Sequence, residues 1–235
     1  MGRCSGLLFV AWLLAGCAAR PGSGPVADPI EPLNRSIFFV NETFDRWLFR
    51  PLAVGYDWLL PPLLRRRAQH FYSNATYPVV VVNQFLQGEA ADGGRDIGRF
   101  LLNSSMGVAG FFDVATPLGL RAQDKDFGQT LGKWGVGEGP YLMLPFWGPS
   151  TIRDALGNAA GSYGFMPRYL DNDNWRSGMI VGYVLERRAA WLAVDQITAS
   201  DRYRFVRDAY IQRRRAAISE GGVMATDPFL DDWEE

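Results

Sequence analysis

Residues 127–157 read FGQTLGKWGVGEGPYLMLPFWGPSTIRDALG. Gly128, Gly132, Gly135, Gly137, Gly139 and Gly148, with Pro140 and Pro145, recur too closely for a long helix. Such spacing interrupts regular structure repeatedly and lets backbone approach backbone. The glycines at 135, 137 and 139 are no phosphate loop, because no Lys-Ser/Thr pair follows and no strand–turn–helix context frames them. Just before this stretch, residues 107–120 (GVAGFFDVATPLGL) are apolar, glycine-spaced and nearly uncharged. A loop of that composition is costly to expose to water. It must lie in the core, on a partner or in lipid.

Outward from this segment the pattern is helical. Ile37, Val40, Phe44, Trp47 and Leu48 fall at helical spacing, with Asn34 as the expected cap and Pro51 ending the segment and able to sit in the first turn of the next. Leu52, Tyr56, Leu59, Leu60 and Leu63 predict a second short helix, broken or kinked at Pro61-Pro62. Residues 79–86 (VVVVNQFL) combine a β-prone valine run with a helical continuation, and helix is the favoured reading. Asp92 to Leu102 is amphipathic, with Ile97, Phe100 and Leu101 on one side. Two long helices are predicted to close the domain, Trp175–Ser200 and Asp201–Glu220, the latter stopped by Gly221-Gly222. No second strand of comparable strength and no internal repeat is apparent.

The N-terminus carries the most specific signal. Arg3 precedes an apolar run, LLFVAWLL (7–14), too short to cross a bilayer, and the small-residue site Leu14-Ala15-Gly16 closes on Cys17. This resembles a bacterial lipoprotein signal and implies cleavage before Cys17, with acylation of its sulfur and of the new amino terminus. Two or more acyl chains anchor a protein stably where one does not. Residues 1–16 are thus a removed signal peptide and residues 17–28 an acylated flexible tether, whose Ala/Gly/Pro/Ser composition gives a reach of roughly 18 Å. The folded domain is expected over 29–222, and the tail 223–235, with DPFLDDWEE at its end, as acidic and disordered.

Composition narrows the function. Lys and Arg number 24 against 25 Asp and Glu, and loss of Arg3 tips the balance further toward acid, which argues against bulk nucleic-acid binding. Of the 2 cysteines, Cys4 leaves with the signal and Cys17 is acylated, so no disulfide, thiol nucleophile or cysteine metal site remains. His70 is the only histidine, which rules out a two-histidine metal site, and no nucleophile elbow surrounds any serine. Asp124 and Asp126 read as a solvated turn. Neither a catalytic group nor a cofactor is indicated. Aromatic residues make up 14% of the chain, which suits either a large core or an interface between apolar and wet surroundings. The arginine clusters at 65–67, 187–188 and 213–215 suit lipid phosphates or simply solvated helix faces.

DPIEPLNRSIFFVNETFD (28–45), FRPLAVGY (49–56), VNQFLQG (82–88), RFLLNSSMGVAGFFDVAT (99–116) and above all 127–157, with its G-x-G-P-Y-x-x-L-P-x-x-G-x-x-x-x-R-D pattern, together resemble blocks of the MlaA (VacJ) lipoprotein family. The resemblance runs from about Asp28 to about Gly222. It implies a mainly α fold: a ring- or doughnut-like arrangement of amphipathic helices lying in one leaflet around a channel. The implied protein is a non-enzymatic outer-membrane lipoprotein, embedded in the inner leaflet, that removes mislocalised phospholipid from the outer leaflet. Its implied partners are phospholipids, a trimeric porin and a periplasmic phospholipid carrier resembling MlaC. The resemblance also implies that 107–120 forms a mobile hairpin beside the channel, with Gly107 and Gly110 as hinges and Phe111 and Phe112 as lipid-facing wedges. Ala18, rather than an aspartate, after the acylated cysteine is consistent with outer-membrane sorting. The alternatives are a lipoprotein scaffold that binds a porin or the cell wall and transports nothing, and a hydrolase dependent on His70.

Overall fold

The computed structural model describes residues 28–196 and 199–219. The expected signal (1–16), nearly all of the tether (17–28) and the acidic tail (223–235) lie outside the described residues. Helix α1 (Glu31–Phe44) runs through a π-helical turn (Asp45–Phe49) into α2 (Arg50–Leu59). Pro51 sits in the first turn of α2, as expected, but the chain stays helical up to it rather than stopping. Lacking an N–H, it would interrupt an α ladder, and the wider turn just before it absorbs the slip in register. Leu60 is extended (φ −99°, ψ 124°), as a residue before proline prefers, and Pro61-Pro62 then opens the next helix. Leu60 and Leu63 accordingly fall outside the second helix.

Helix α3 (Pro62–Leu86) includes the whole valine run, and α4 (Ala90–Ser105) packs beside it across a short turn in which Gly88 has φ +79°. Helix wins over the β preference of Val79–Val82 because the valines only partly face the interior. Asn74, Tyr77, Asn83 and Gln84 make the buried contacts on the same helix. Residues 106–126 form turns with one 3₁₀ segment (Thr116–Leu118).

Helix α5 (Phe127–Lys133) is capped by Asp126, whose carboxylate accepts the Gln129 N–H at 2.9 Å. The glycine- and proline-rich stretch then forms an antiparallel hairpin that the sequence reading missed, β1 (Tyr141–Leu144) and β2 (Gly148–Thr151), paired Tyr141↔Thr151 through Leu144↔Gly148. Strands of four residues with a proline in one of them carry no legible alternation. Thr151 ends β2 and caps α6 (Ile152–Gly161), its hydroxyl accepting the Asp154 N–H at 3.1 Å. Helix α6 crosses α5 at two glycines: a Cβ on Gly157 would stand 2.6 Å from the Gly128 Cα, so only glycine permits this approach.

Helix α7 (Asp173–Ala190) stops ten residues short of the expected Ser200, giving way to a 3₁₀ turn (Leu192–Gln196). Helix α8 (Arg202–Ser219) follows close to its expected bounds.

Asn34 is no cap. Pro32, preset for a first turn, starts α1, and Asn34 is buried within the helix. Its side-chain amide acts as a surrogate peptide along β1: Oδ1 accepts the Met143 N–H at 2.9 Å and Nδ2 donates to the Tyr141 carbonyl at 3.1 Å. Two helical turns on, Asn41 repeats the arrangement, accepting the Phe146 N–H and donating to the Leu144 carbonyl, each at 2.9 Å. Spacing of seven places both amides on one face of α1, and together they cover an otherwise open strand edge. A small aromatic core completes this corner, with Tyr141, Met143, Tyr203 and Ile211 packed against Ile37, Phe38 and Tyr210.

Asn34→Ala strands the Met143 N–H and the Tyr141 carbonyl inside the protein. The expected loss is about 2–3 kcal/mol, read as a lowered unfolding midpoint in detergent, whereas Ser36→Ala on the exposed side of α1 changes little.

Candidate lipid-facing belt and polar interior

Burial in this protein is inverted. The residues shut away from solvent are mostly polar, including Asp96, Arg99, Lys125, Gln129, Arg153, Asp154 and Glu186. The large apolar side chains stand outside: Trp58 is 85% exposed, Trp47 79%, Trp147 78% and Phe39 70%. Leaving a leucine- or phenylalanine-sized group in water rather than burying it costs about 1.5–3 kcal/mol, so a surface so rich in them is built for surroundings other than water. No described helix is long and apolar enough to cross a membrane. The aromatic content therefore belongs to an interface more than to a core.

The interior holds together by charge-assisted hydrogen bonds. Arg99 on α4 donates to the Leu120 carbonyl (2.5 Å), Thr116 Oγ1 (2.8 Å) and Asp113 Oδ2 (2.7 Å). Asn103, one turn further along, donates to Asp113 Oδ1 (3.1 Å) and accepts the N–H groups of Val114 (3.0 Å) and Ala115 (3.1 Å). Burial pushes the Asp113 carboxyl up, but the bonds from Thr116 and Arg99 prevail and hold it at about 2. Tyr77 donates to Asp96 at 2.6 Å, and burial and that carboxylate both oppose loss of its phenolic proton. His70 lines a polar cavity of about 10 Å³ with Ser73, Asn74, Tyr77, Arg99 and Asn103, and burial lowers its pKa. No set of three or more His, Cys, Asp or Glu among the described residues could hold a metal.

A second network joins α5, α6 and α8. Arg214 pairs with Asp126 and with Asp154, to which its Nη2 donates at 2.8 Å, and Tyr210 donates to the same Asp154 at 2.8 Å. Burial raises the Asp154 carboxyl, but the charges of Arg214 and Arg153 together with the hydrogen bonds from Arg214 and Tyr210 bring it below the usual carboxylate value. Asp126 is thus both a cap and an ion-pair partner, and the solvated turn expected around it is corrected. Lys125, beside it, is fully buried against Glu89.

The arginines at 187–188 and 213–215 divide: Arg188 and Arg214 are drawn inward onto carboxylates, whereas Arg187 and Arg213 stay on solvated helix faces as expected. Arg188 lies between Asp45 (2.6 Å) and Asp195 (2.7 Å), and Arg187 donates to the Tyr183 hydroxyl. Arg213 pairs with Asp124, and Arg215 with Glu138. In the first cluster Arg65 pairs with Asp57, while Arg67 lies over the Phe112 ring at 4.3 Å. Carboxylates distant in sequence hold Arg188, Arg213, Arg214 and Arg215.

Leu14, Ala15, Gly16 and Cys17 lie outside the described residues. Gly107, Gly110, Phe111 and Phe112 come together in one turn at the end of α4. Val108 (φ 52°), Ala109 (φ 57°) and Gly110 (φ 93°) are successively left-handed, a conformation strained for valine above all. The turn is held by Gly110 N–H to Asn103 O (2.7 Å) and Phe112 N–H to Gly107 O (2.9 Å). A Cβ on Gly110 would meet Asn74 Cγ at 2.7 Å, and one on Gly107 the Asn103 Cα at 2.9 Å. Phe111 stacks on Phe71 at 4.8 Å yet, like Phe112, remains partly exposed. Sequence reasoning missed Asn74, Arg99, Asn103 and Asp113, the residues that fasten this turn. The spacing of four between Arg99 and Asn103, off the apolar face of their helix, was the available signal.

Because the Asp113 carboxyl is held below its unfolded value near 4, its stabilisation is complete above about pH 4 and disappears as pH falls toward 2. Acid titration of unfolding should show roughly 2 kcal/mol lost over that window, and Asp113→Asn should remove that component of the pH dependence.

Comparison with known proteins follows the same lines. A family model described as MlaA lipoprotein matches residues 26–217. The intermembrane phospholipid transport system lipoprotein MlaA of Escherichia coli (strain K12) is 38% identical over 231 residues, covering 94% of this chain and 90% of that protein. Its counterpart in Haemophilus influenzae (strain ATCC 51907 / DSM 11121 / KW20 / Rd) is 28% identical over 238 residues, covering 96% and 94%. Uncharacterized protein RP093 of Rickettsia prowazekii (strain Madrid E) is 34% identical over 197 residues, covering 82% and 78%. A structure solved in work described as "Structural basis for maintenance of bacterial outer membrane lipid asymmetry" superposes with TM-score 0.71 at 37% identity, covering 80% of this chain and 98% of that one.

Proposed function

Since the chain belongs to the MlaA lipoprotein family, we propose that it serves intermembrane phospholipid transport at the outer membrane, removing mislocalised phospholipid from the outer leaflet and so maintaining lipid asymmetry. The observation that carries this reading is the inverted burial. A phospholipid cannot flip unaided, because its charged head must cross hydrocarbon. Helices that are apolar outside and polar inside offer the head a wet route while the tails stay in lipid.

The finer parts of the reading extend the family resemblance and the N-terminal signal. The protein sits in the inner leaflet, with Trp47, Trp58 and Trp147 in the apolar belt, and is anchored by acylated Cys17 after cleavage at Leu14-Ala15-Gly16. It performs no covalent chemistry, and the work is passage. A trimeric porin surrounds or supports it, and a periplasmic carrier receives the lipid. The strained turn 107–112 acts as the gate, with Gly107 and Gly110 as hinges and Phe111 and Phe112 toward lipid. Strain of about 1–3 kcal/mol per residue in such a turn is a usual mark of a moving part.

Cells lacking this gene should accumulate outer-leaflet phospholipid, and the wild type should rescue them while Cys17→Ala does not. Gly110→Ala, which cannot keep both the φ of 93° and the contact with Asn74, should rescue poorly although the protein reaches the membrane. Normal asymmetry in the deletion strain contradicts the transport reading and favours a scaffold, whereas full rescue by Gly110→Ala contradicts only the gate.

A further inference from the structure

At the junction of α2, α3 and α7 lies a polar cluster that the structural networks leave unused. Glu186 is 8% exposed and, alone among the described acids buried to this degree, has neither an ion pair nor a hydrogen bond with any described residue. Its carboxylate is close enough to act on the phenols of Tyr56 and Tyr72, whose ionisation burial and that charge both oppose. Burial pushes the Glu186 carboxyl itself upward. The Tyr56 hydroxyl and the Arg65 Nε are buried without a hydrogen-bond partner, although Arg65 also pairs with Asp57 through another nitrogen. Tyr72 meets Tyr183 edge-on at 5.7 Å, which adds an aromatic wall.

Single unpartnered buried atoms also occur at Gln84, Gln87, Asp96, Gln129, Tyr141 and Arg188, but each of those stands apart from a buried acid that has no bond at all. Unpaired buried groups of opposite character at one place are expensive, and they call for a ligand that brings both a donor and an acceptor. A carboxylate beside tyrosine rings suits an ammonium group, through charge-assisted hydrogen bonds and the ring faces. A guanidinium nitrogen and a phenol suit a phosphate oxygen. Trp58, Leu59, Val181 and Val184 stand exposed on the same helices, placed to meet acyl chains while the head turns inward.

We propose that Tyr56, Arg65, Tyr72 and Glu186 form a recognition site for a zwitterionic phosphoethanolamine headgroup, with the ammonium on Glu186 and the phosphate on Arg65 and Tyr56. The proposal rests on the transport reading and names the lipid class that passes. An anionic glycerol headgroup has no ammonium to neutralise Glu186 and is repelled by it.

The test uses the full-length acylated protein, stripped of lipid and offered equal amounts of phosphatidylethanolamine and phosphatidylglycerol in mixed micelles, with bound lipid counted by mass spectrometry. The wild type should enrich phosphatidylethanolamine by roughly tenfold, the scale of one charge-assisted hydrogen bond. Glu186→Gln, nearly isosteric and relieved of a buried charge, should bring the ratio close to one while keeping total uptake. Tyr56→Phe should lower total uptake, with helical content unchanged in both variants. Equal uptake of the two lipids by the wild type, or an unchanged ratio in Glu186→Gln, overturns the headgroup site and leaves transport standing. Uptake of neither lipid overturns both.

Discussion

Short helices that turn their apolar faces outward leave this chain little hydrocarbon with which to fill its own centre. The interior must then be held by polar groups, and these are stable only when every charge finds enough partners. Asp154 shows how strictly this is met. It accepts from Arg214 through both of its oxygens, from Arg153 and from Tyr210, while Thr151 caps the turn on which it sits. Helices α5, α6 and α8 are fixed relative to one another by that carboxylate and by the glycine contact at 128 and 157. Removing one partner from such a site strands a buried charge, so the network resists piecemeal change.

The same constraint explains the asparagines. A β-hairpin set among helices has an edge with unpaired backbone groups, and at Tyr141 and Met143 that edge is buried away from water. Asn34 and Asn41 supply peptide-like amides from a neighbouring helix. Arg99 and Asn103 do for the irregular segment 113–120 what Asn34 and Asn41 do for the hairpin. In both places a helix lends side-chain amides or guanidinium groups to backbone that cannot pair with itself. The left-handed turn 108–110, with two successive non-glycine residues at positive φ, is held mainly by backbone bonds, to which Asn74 adds one at the Ala109 carbonyl.

Much of this was legible in the sequence. The helical spacing of Ile37, Phe44 and Trp47, the break at Pro61-Pro62, and the continuation of the valine run into Gln84-Phe85-Leu86 each marked an element that formed. The family blocks at 28–45 and 127–157 pointed to the fold more sharply than periodicity did. What escaped was set by partners distant along the chain. Arg188 reads as a surface charge until Asp45 is brought to it, and Arg214 until Asp126 and Asp154 are. Asn34 reads as a cap because asparagine before an apolar helix usually is one, and only the hairpin gives it other work. The hairpin itself was hidden by Gly148 and Pro149, which look like loop residues and here open the second strand. Helix α7 stopped early where Trp191 and the Asp195–Arg188 pair turn the chain back.

The central claim is that the exposed apolar belt lies in lipid within one leaflet. The direct measurement is quenching of tryptophan fluorescence, for the acylated protein in bilayers whose lipids carry bromine at successive depths along the acyl chain. The account predicts strong quenching at shallow and middle depths, weaker quenching near the bilayer centre, and protection from aqueous iodide. Quenching by iodide with none by bromolipids at any depth would place the belt in water and contradict it.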